Sequence, residues 1–324
     1  MPNKGQIAAT TCVFYERPVA FSQLEHAVGK DYEIVKTVEE PATEWMFSGA
    51  TLVVPYRAEV NGFAMVDLVD QPWPDAMGDP VKEKMLFAAW ASGQFGPFTQ
   101  PGGLKRAAEQ CWAWPPGKGV NAEAHSGFAR ARISYSLGGA AEGKSLLPDD
   151  YDPIAEMQFL TQLTTRLMNL PQTLCYYNPN GEVLRGRAET KDAIKHAEAD
   201  GELPLELWAN VRLFNLVDGW LMMDTAGHPQ FNAPGKPAFP DIEAVFPKGK
   251  YDPREMDTFF RNLTSYLISN GATTINDGDT IDGPGGNWNV LARKNGLMMP
   301  PRNTLRLCPV GETIPEPYGT MGTE

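Results

Sequence analysis

Cysteine and histidine are scarce in this sequence, with four of each in 324 residues. Cys12, Cys111, Cys175 and Cys308 lie at least 64 residues apart and no CxxC occurs. The spacing therefore supplies neither a zinc ribbon nor a disulfide framework, and the four read as small buried apolar residues. His26, His125, His196 and His228 form no HExxH or HxxxH pattern, and a nucleophilic pair such as Cys111 with His125 has no orienting motif beside it. No apolar run approaches the about 18 residues of a membrane helix. The first 21 residues carry one lysine and no long apolar stretch, so no signal peptide is expected and the expected compartment is the cytoplasm. No block of five or more bases is present and no GxSxG, which removes the usual signatures of nucleic-acid binding and of serine hydrolases.

Acid is in excess. Forty Asp and Glu face 28 Lys and Arg, giving a net charge of −12 and a pI near 4.9. Such a chain repels phosphate backbones and attracts basic partners. Hydrophobic residues make up 42%, which is globular. Gly (31) and Pro (28) are 59 of 324 residues, so long loops and frequent turns are expected. The length suits one large domain or two medium ones.

The pattern predicts a strand over 6–15 and a helix opened by Pro18 with Phe21, Leu24 and Ala27 on one face. A second strand follows at Tyr32–Val38, then a hairpin of Thr51–Arg57 and Gly62–Val69 turning at Asn61-Gly62. Helices are predicted over 81–92 and around Leu104–Cys111, and a strand at Phe128–Leu137. Two internal similarities follow. Residues 151–169 and 251–269 share seven identities in nineteen: the Tyr-Asp-Pro triplets, Phe159/Phe259, Leu163/Leu263, Thr164/Thr264 and Leu167/Leu267. Each reads as a helix capped by Asp with Pro at its first position. Residues 61–72 and 218–229 match at Gly62/Gly219, Met65/Met222, Asp67/Asp224 and Pro72/Pro229. After Cys175 a strand, a helix at 189–199, a long strand at 205–217 and a strand at 220–225 repeat the β-α-β-β order of the start. The expectation is an α+β chain of two related lobes, 1–150 and 151–324, each a mainly antiparallel sheet with helices on one face.

Gly138-Gly139-Ala140-Ala141-Glu142-Gly143-Lys144-Ser145 fits the phosphate-loop pattern GxxxxGK[ST] after a predicted strand. A working loop needs a helix to start there, and Pro148 with Asp149 and Asp150 breaks that helix and repels phosphate. The acids of Asp277-Gly278-Asp279-Thr280-Ile281-Asp282 miss calcium-loop spacing, with Ile281 at position 5 and Trp288 at position 12. No metal or cofactor is expected. Two loops combine acids with a tryptophan and lack bases: Asp67, Asp70, Trp73, Asp75 and Asp79 in one, Asp277, Asp279, Asp282 and Trp288 in the other. They read either as solvated loops with tryptophans tucked into the core, or as acidic rims around aromatic anchors for a partner.

The stretches VDLVDQPWPDAMGDP, FAAWASGQFGPFTQPGGLKRAAEQCWAW, SLLPDDYDPIAEMQFLT, CYYNPNGEVL and NDGDTIDGPGG resemble a bacterial family known as a domain of unknown function. Acidic proteins of that kind are similar to the immunity proteins carried beside polymorphic toxins, including Rhs-type effectors of type VI secretion. The resemblance implies a non-catalytic cytoplasmic protein that binds a cognate basic toxin domain and occludes its active site, with no nucleic-acid or membrane partner. A nucleotide-dependent enzyme using Gly143, Lys144 and Ser145, or a scaffold for another partner, are the rival expectations.

Overall fold

In the computed structural model, which describes residues 4–39, 49–120, 123–136, 146–316 and 318, the chain divides into two units, 1–208 and 209–324. The division follows Trp208, not Asp150 as the lobe boundary read from sequence has it. The phosphate-loop pattern at Gly138–Ser145 lies outside the described residues. Among the described residues no helix is long and apolar enough to cross a membrane.

The first unit is built on a seven-stranded, wholly antiparallel sheet. Its strands are β1 (Ala9–Tyr15), β2 (Lys36–Val38), β3 (Ala50–Arg57), β4 (Gly62–Val69), β5 (Gly127–Ser134), β6 (Thr173–Asn178) and β7 (Val183–Arg185), in the order β2-β3-β4-β5-β1-β6-β7. Asn61 turns the β3–β4 hairpin with φ of 60°, a left-handed conformation that asparagine tolerates. The helices are α1 (Phe21–Gly29), α2 (Lys84–Ala91), α3 (Gly103–Glu109), α4 (Pro153–Leu167), α5 (Arg187–Asp200) and α6 (Leu205–Trp208). The long strand expected over 205–217 is thus α6 followed by a shorter strand.

Two faces of this sheet are covered. On one, α4 packs on β1 and β5, with Thr164 Oγ1 2.6 Å from Thr11 Oγ1. Cys12 and Phe14 point the other way, into a core shared with Trp73, Trp90, Phe95, Leu104, Trp114 and Tyr177. That core is roofed by the segment between β4 and β5, which carries α2 and α3.

The second unit has six strands in the order β11-β12-β13-β10-β9-β8. They are β8 (Asn210–Asn215), β9 (Trp220–Ala226), β10 (Asp241–Pro247), β11 (Thr280–Gly283), β12 (Gly286–Arg293) and β13 (Thr304–Pro309). All pairs are antiparallel except β10 with β13. Helix α7 (Pro253–Asn270) packs on β8 and β9.

The expected kinship of the two halves takes a particular form. Strands β3-β4-β5 make an antiparallel meander followed by α4, and β8-β9-β10 make one followed by α7. Both helices open on the repeated Asp-Pro. Asp152 Oδ1 accepts from the Ile154 and Ala155 N–H groups at 2.9 and 3.1 Å, and Asp252 Oδ1 from Arg254 N at 2.9 Å. The repeated unit is therefore meander then helix, and the β-α-β-β reading straddles two sheets, since β6 and β7 belong to the first and β8 and β9 to the second.

Candidate functional site

Each meander carries a buried carboxylate on its middle strand, turned to the face away from the helix. In the first unit Asp67 on β4 lies opposite Thr51 on β3 and Arg130 on β5, and Arg130 lies opposite Cys12, which faces away from α4. Asp67 Oδ2 accepts from Arg132 Nη2 at 2.6 Å and Arg130 Nε at 3.1 Å, and Oδ1 accepts from Thr51 Oγ1 at 2.9 Å. Burial alone would raise the Asp67 pKa; Arg132 and Arg130 outweigh it and hold the carboxyl below the ordinary range. Gln94, from the roofing segment, takes Arg132 Nη1 on its side-chain oxygen at 2.7 Å and Arg130 Nη1 on its carbonyl at 3.1 Å.

In the second unit Asp224 on β9 lies opposite Arg212 on β8 and Glu243 on β10, and Glu243 lies opposite Arg306 on β13. Arg212 meets Asp224 with both prongs, Nε to Oδ1 at 2.8 Å and Nη2 to Oδ2 at 2.6 Å. Arg302 adds its Nη2 to Oδ2 at 2.5 Å and places its Nε 3.2 Å from Asp241 Oδ2. Glu243 Oε1 accepts from Arg306 Nε at 2.6 Å. The result is a row across four strands in which two acids lie side by side between two arginines, all of it buried.

Beside this row stand Thr264, His228 and Asp241, in the order of a nucleophile, a base and an orienting acid. The acid does not orient the ring, a backbone carbonyl does, and the Thr264 hydroxyl donates to Phe260 O at 2.8 Å. His228 Nδ1 lies 2.8 Å from Pro240 O, to which it donates, and 3.8 Å from Asp241. Asp241 Oδ1 is taken by Thr225 Oγ1 at 3.0 Å and the His228 N–H at 3.2 Å. The Thr264 hydroxyl faces His228 Nε2 at 3.1 Å, buried under α7. Burial lowers the His228 pKa, which favours the neutral ring.

The nine partner-binding residues read from sequence separate. Asp67, Trp73 and Trp288 are buried, which removes them from any rim or exposed anchor. Trp73 sits among Phe95, Phe128, Tyr177 and Trp90, with ring centroids 5.2–6.4 Å away. Trp288 packs on Tyr251, Phe246 and Phe259, and its Nε1 donates to Pro284 O at 3.1 Å. Asp75 is half-buried and serves α3, accepting the Leu104 and Lys105 N–H groups at 2.7 and 2.9 Å. Asp279 accepts its own turn's Asn276 N–H at 2.7 Å. Asp70, Asp79, Asp277 and Asp282 remain exposed. Asp70 and Asp79 belong to the first unit, Asp277 and Asp282 to the second. Cys111 and His125 are both engaged elsewhere: Cys111 Sγ with Ala108 O at 3.0 Å, and His125 Nε2 accepting Trp73 N–H at 2.8 Å.

A further cluster escapes sequence reading. Lys4 Nζ donates to the Tyr151 hydroxyl at 2.6 Å, which donates to Glu156 Oε2 at 2.5 Å. Tyr135 also bonds Glu156. Burial pulls the Lys4 pKa down to about 8 and pushes that of Glu156 up, each partly offset by the other's charge. Only the Tyr-Asp-Pro repeat signals this cluster: Glu156 takes the position of Met256, so the buried spot that is polar in one unit is apolar in the other.

Two open cavities lie elsewhere. One of about 380 Å³ runs between α1 and α4 and is lined by His26, Lys30, Asp31 and Arg166. Another of about 580 Å³ lies along α3, lined by Asp75, Lys105, Glu109 and Lys118. Among the described residues no group of three or more His, Cys, Asp or Glu is placed to hold a metal ion.

No curated protein and no solved structure matches the chain. Residues 224–308, about a quarter of its length, match the family model described as "Domain of unknown function (DUF4261)", and that stretch runs from Asp224 through His228, Asp241, Glu243, Arg302 and Arg306.

Proposed function

We propose that this chain is an immunity protein, acting in the cytoplasm, that binds a basic bacterial toxin domain and occludes its active site without turnover. The observation that carries the reading is where the charge lies. Among the described residues six acids are buried (Asp67, Glu156, Glu182, Asp224, Asp241 and Glu243), and six bases are buried with them (Lys4, Arg130, Arg132, Arg185, Arg212 and Arg306). The described core therefore hides none of the net charge of −12. The excess acid is displayed toward solvent, where it steers a cationic partner and sets its association rate. Toxins that act on nucleotides or nucleic acids need cationic clefts, so an acidic plug is the matching chemistry.

The test is a search of the genes beside this chain's own for a basic toxin domain, followed by association with that domain at low and high salt. Wild type should bind fast and lose rate steeply as salt rises. Reversing the exposed Asp70 and Asp79 to Lys should slow association and flatten the salt dependence if the first unit's loop faces the toxin; Asp277→Lys with Asp282→Lys reports the second unit. Absence of a complex at micromolar concentration would overturn the reading.

A further inference from the structure

Strand β11 ends the sheet of the second unit and, among the described residues, pairs with β12 alone. Its register fixes which backbone groups stay open. Val290 N–H donates to Asp279 O at 2.8 Å, so Ile281, two residues on, is the one that exchanges bonds with Trp288. Thr280 and Asp282 alternate with it, and their N–H and C=O groups point away from β12. Both residues are exposed, and no described group bonds to those N–H and C=O groups. Gly278 N–H donates to Val290 O at 2.9 Å, so Gly278 and Asp279 bulge against one residue and close the open stretch at its start. Two donors and two acceptors are thus offered to an incoming strand.

The faces of this edge differ. Ile281 lies opposite Trp288 and so faces α7, where Phe259 packs on Trp288 with ring centroids 6.2 Å apart. Ile281 and Phe259 are both partly exposed. Thr280 and Asp282 lie opposite Asn289 and Asn287 on the other face, which is polar and exposed. The local charge has one sign. Residues 262–292 hold Asp277, Asp279 and Asp282 and no base. Arg293 and Lys294 come after Asn289, the last residue of β12 that pairs with β11, and Arg293 lies opposite Thr304 on β13. Lys250, whose neighbour Tyr251 packs on Trp288, is already paired with Glu312. A second copy of the chain is a poor occupant, since it sets Asp282 against the same acids.

We propose that β11 is a docking edge that takes an extended segment of a partner as a seventh strand, with Lys or Arg opposite Thr280 and Asp282 and an apolar residue opposite Ile281. The alternation follows from the two faces: bases meet the acidic polar side, and the apolar residue covers Ile281 beside α7. The inference goes beyond the immunity reading and holds for any partner with such a strand.

The experiment titrates the full chain with a labelled peptide that alternates lysine and valine, and with the same peptide N-methylated at its lysines. Methylation keeps the charge and removes the N–H groups that face β11. Wild type should bind the unmethylated peptide about tenfold more tightly, the worth of the lost hydrogen bonds. Thr280→Pro removes one outward N–H and leaves the ladder to β12 intact, so it should weaken that peptide about threefold or more at an unchanged melting temperature. Asp282→Lys should weaken it by a similar factor, and Asp70→Lys, exposed in the first unit, should leave it within about twofold. Equal binding of the two peptides means attraction by charge alone and overturns the edge, as does binding of neither at millimolar concentration. Should Thr280→Pro fold poorly, the two peptides on wild type decide. A dimer of this chain, seen by sedimentation and dissolved by Thr280→Pro, gives the edge to a second copy and overturns the proposal. The immunity reading is tested by the toxin domain itself, so either can fail without the other.

Discussion

Asp67 and Asp224 hold the same place in two meanders, each on the middle strand, each on the face away from the following helix, and each gripped by two arginines. The arginines differ in origin. Arg130 and Arg132 both come from β5, whereas Arg212 comes from β8 and Arg302 from the segment between β12 and β13. The acid is thus the shared element and its neutralisation was solved twice. In the first unit the roofing segment supplies Gln94 to finish the job; in the second, the carbonyls of Met298 and Pro300, between β12 and β13, take the spare donors of Arg302.

Removing either acid takes away the buried carboxylate that two arginines share. Asp67→Asn and Asp224→Asn should each cost about 3–5 kcal/mol, as breaking a buried pair from one side does. Urea denaturation followed by tryptophan fluorescence measures it. A loss under 1 kcal/mol would mean that water reaches the arginines and the centre is not closed.

Much of the fold is legible in the sequence where apolar spacing is uninterrupted. β1, the β3–β4 hairpin, α4 and α7 follow from periodicity, caps and the Asn61-Gly62 turn. β10, β12 and β13 do not. Glu243 in DIEAVF and Arg306 in TLRLC read as wet positions, and only a partner 63 residues away makes each of them a core residue. Trp73 and Trp288 fail as surface anchors for the converse reason: their polar neighbours face solvent or cap turns while the rings turn inward. The lobe boundary moves because Tyr151-Asp152-Pro153 opens the helix that ends a repeat, not one that begins it. Lys4 gives no signal, since its partner lies 147 residues away.

The two tryptophans offer a direct check of that correction. Trp73→Ala and Trp288→Ala should each destabilise the chain by about 3–5 kcal/mol, through lost burial and the cavity left behind. Toxin affinity per folded molecule should not change. Binding weakened while the melting temperature holds would return either residue to the interface.

Acid titration separates two carboxylates of opposite sign. The folded pKa of Asp67 lies below its unfolded value, so its contribution is full above about pH 4 and is lost as pH falls through the folded pKa. Glu156 is raised, so it contributes fully below its unfolded value of about 4.5 and loses that contribution as pH rises through its folded pKa. Melting curves from pH 3 to 7 should therefore fall less steeply on the acid side for Asp67→Asn than for wild type. Glu156→Gln should remove the opposing limb. A wild-type curve that Asp67→Asn merely displaces downward, parallel at every pH, would show that the carboxyl titrates alike in both states.

The alkaline side belongs to Lys4. Its folded pKa of about 8 lies below the ordinary lysine value of 10.5, so between those values the unfolded chain binds more protons than the folded one. Stability conferred through this group therefore rises with pH across that window; below pH 8 both states hold the proton and the burial penalty is carried in full. The tyrosines act the other way. Tyr151 and Tyr135 are raised by burial and by Glu156, so above pH 10 the unfolded chain sheds protons that the folded one keeps, and stability falls. The four cysteines, raised by burial from 9.0, pull the same way as the tyrosines and are common to wild type and variant, so between pH 8 and 9.5 the Lys4 contribution alone, at 1.36 kcal/mol per unit, gains roughly 2 kcal/mol. Lys4→Met keeps the length of the side chain and removes the proton. The stability difference, wild type minus Lys4→Met, should climb by that amount across the interval when followed by urea denaturation. A difference that stays flat would place the Lys4 amine in water and dissolve the buried relay to Tyr151 and Glu156.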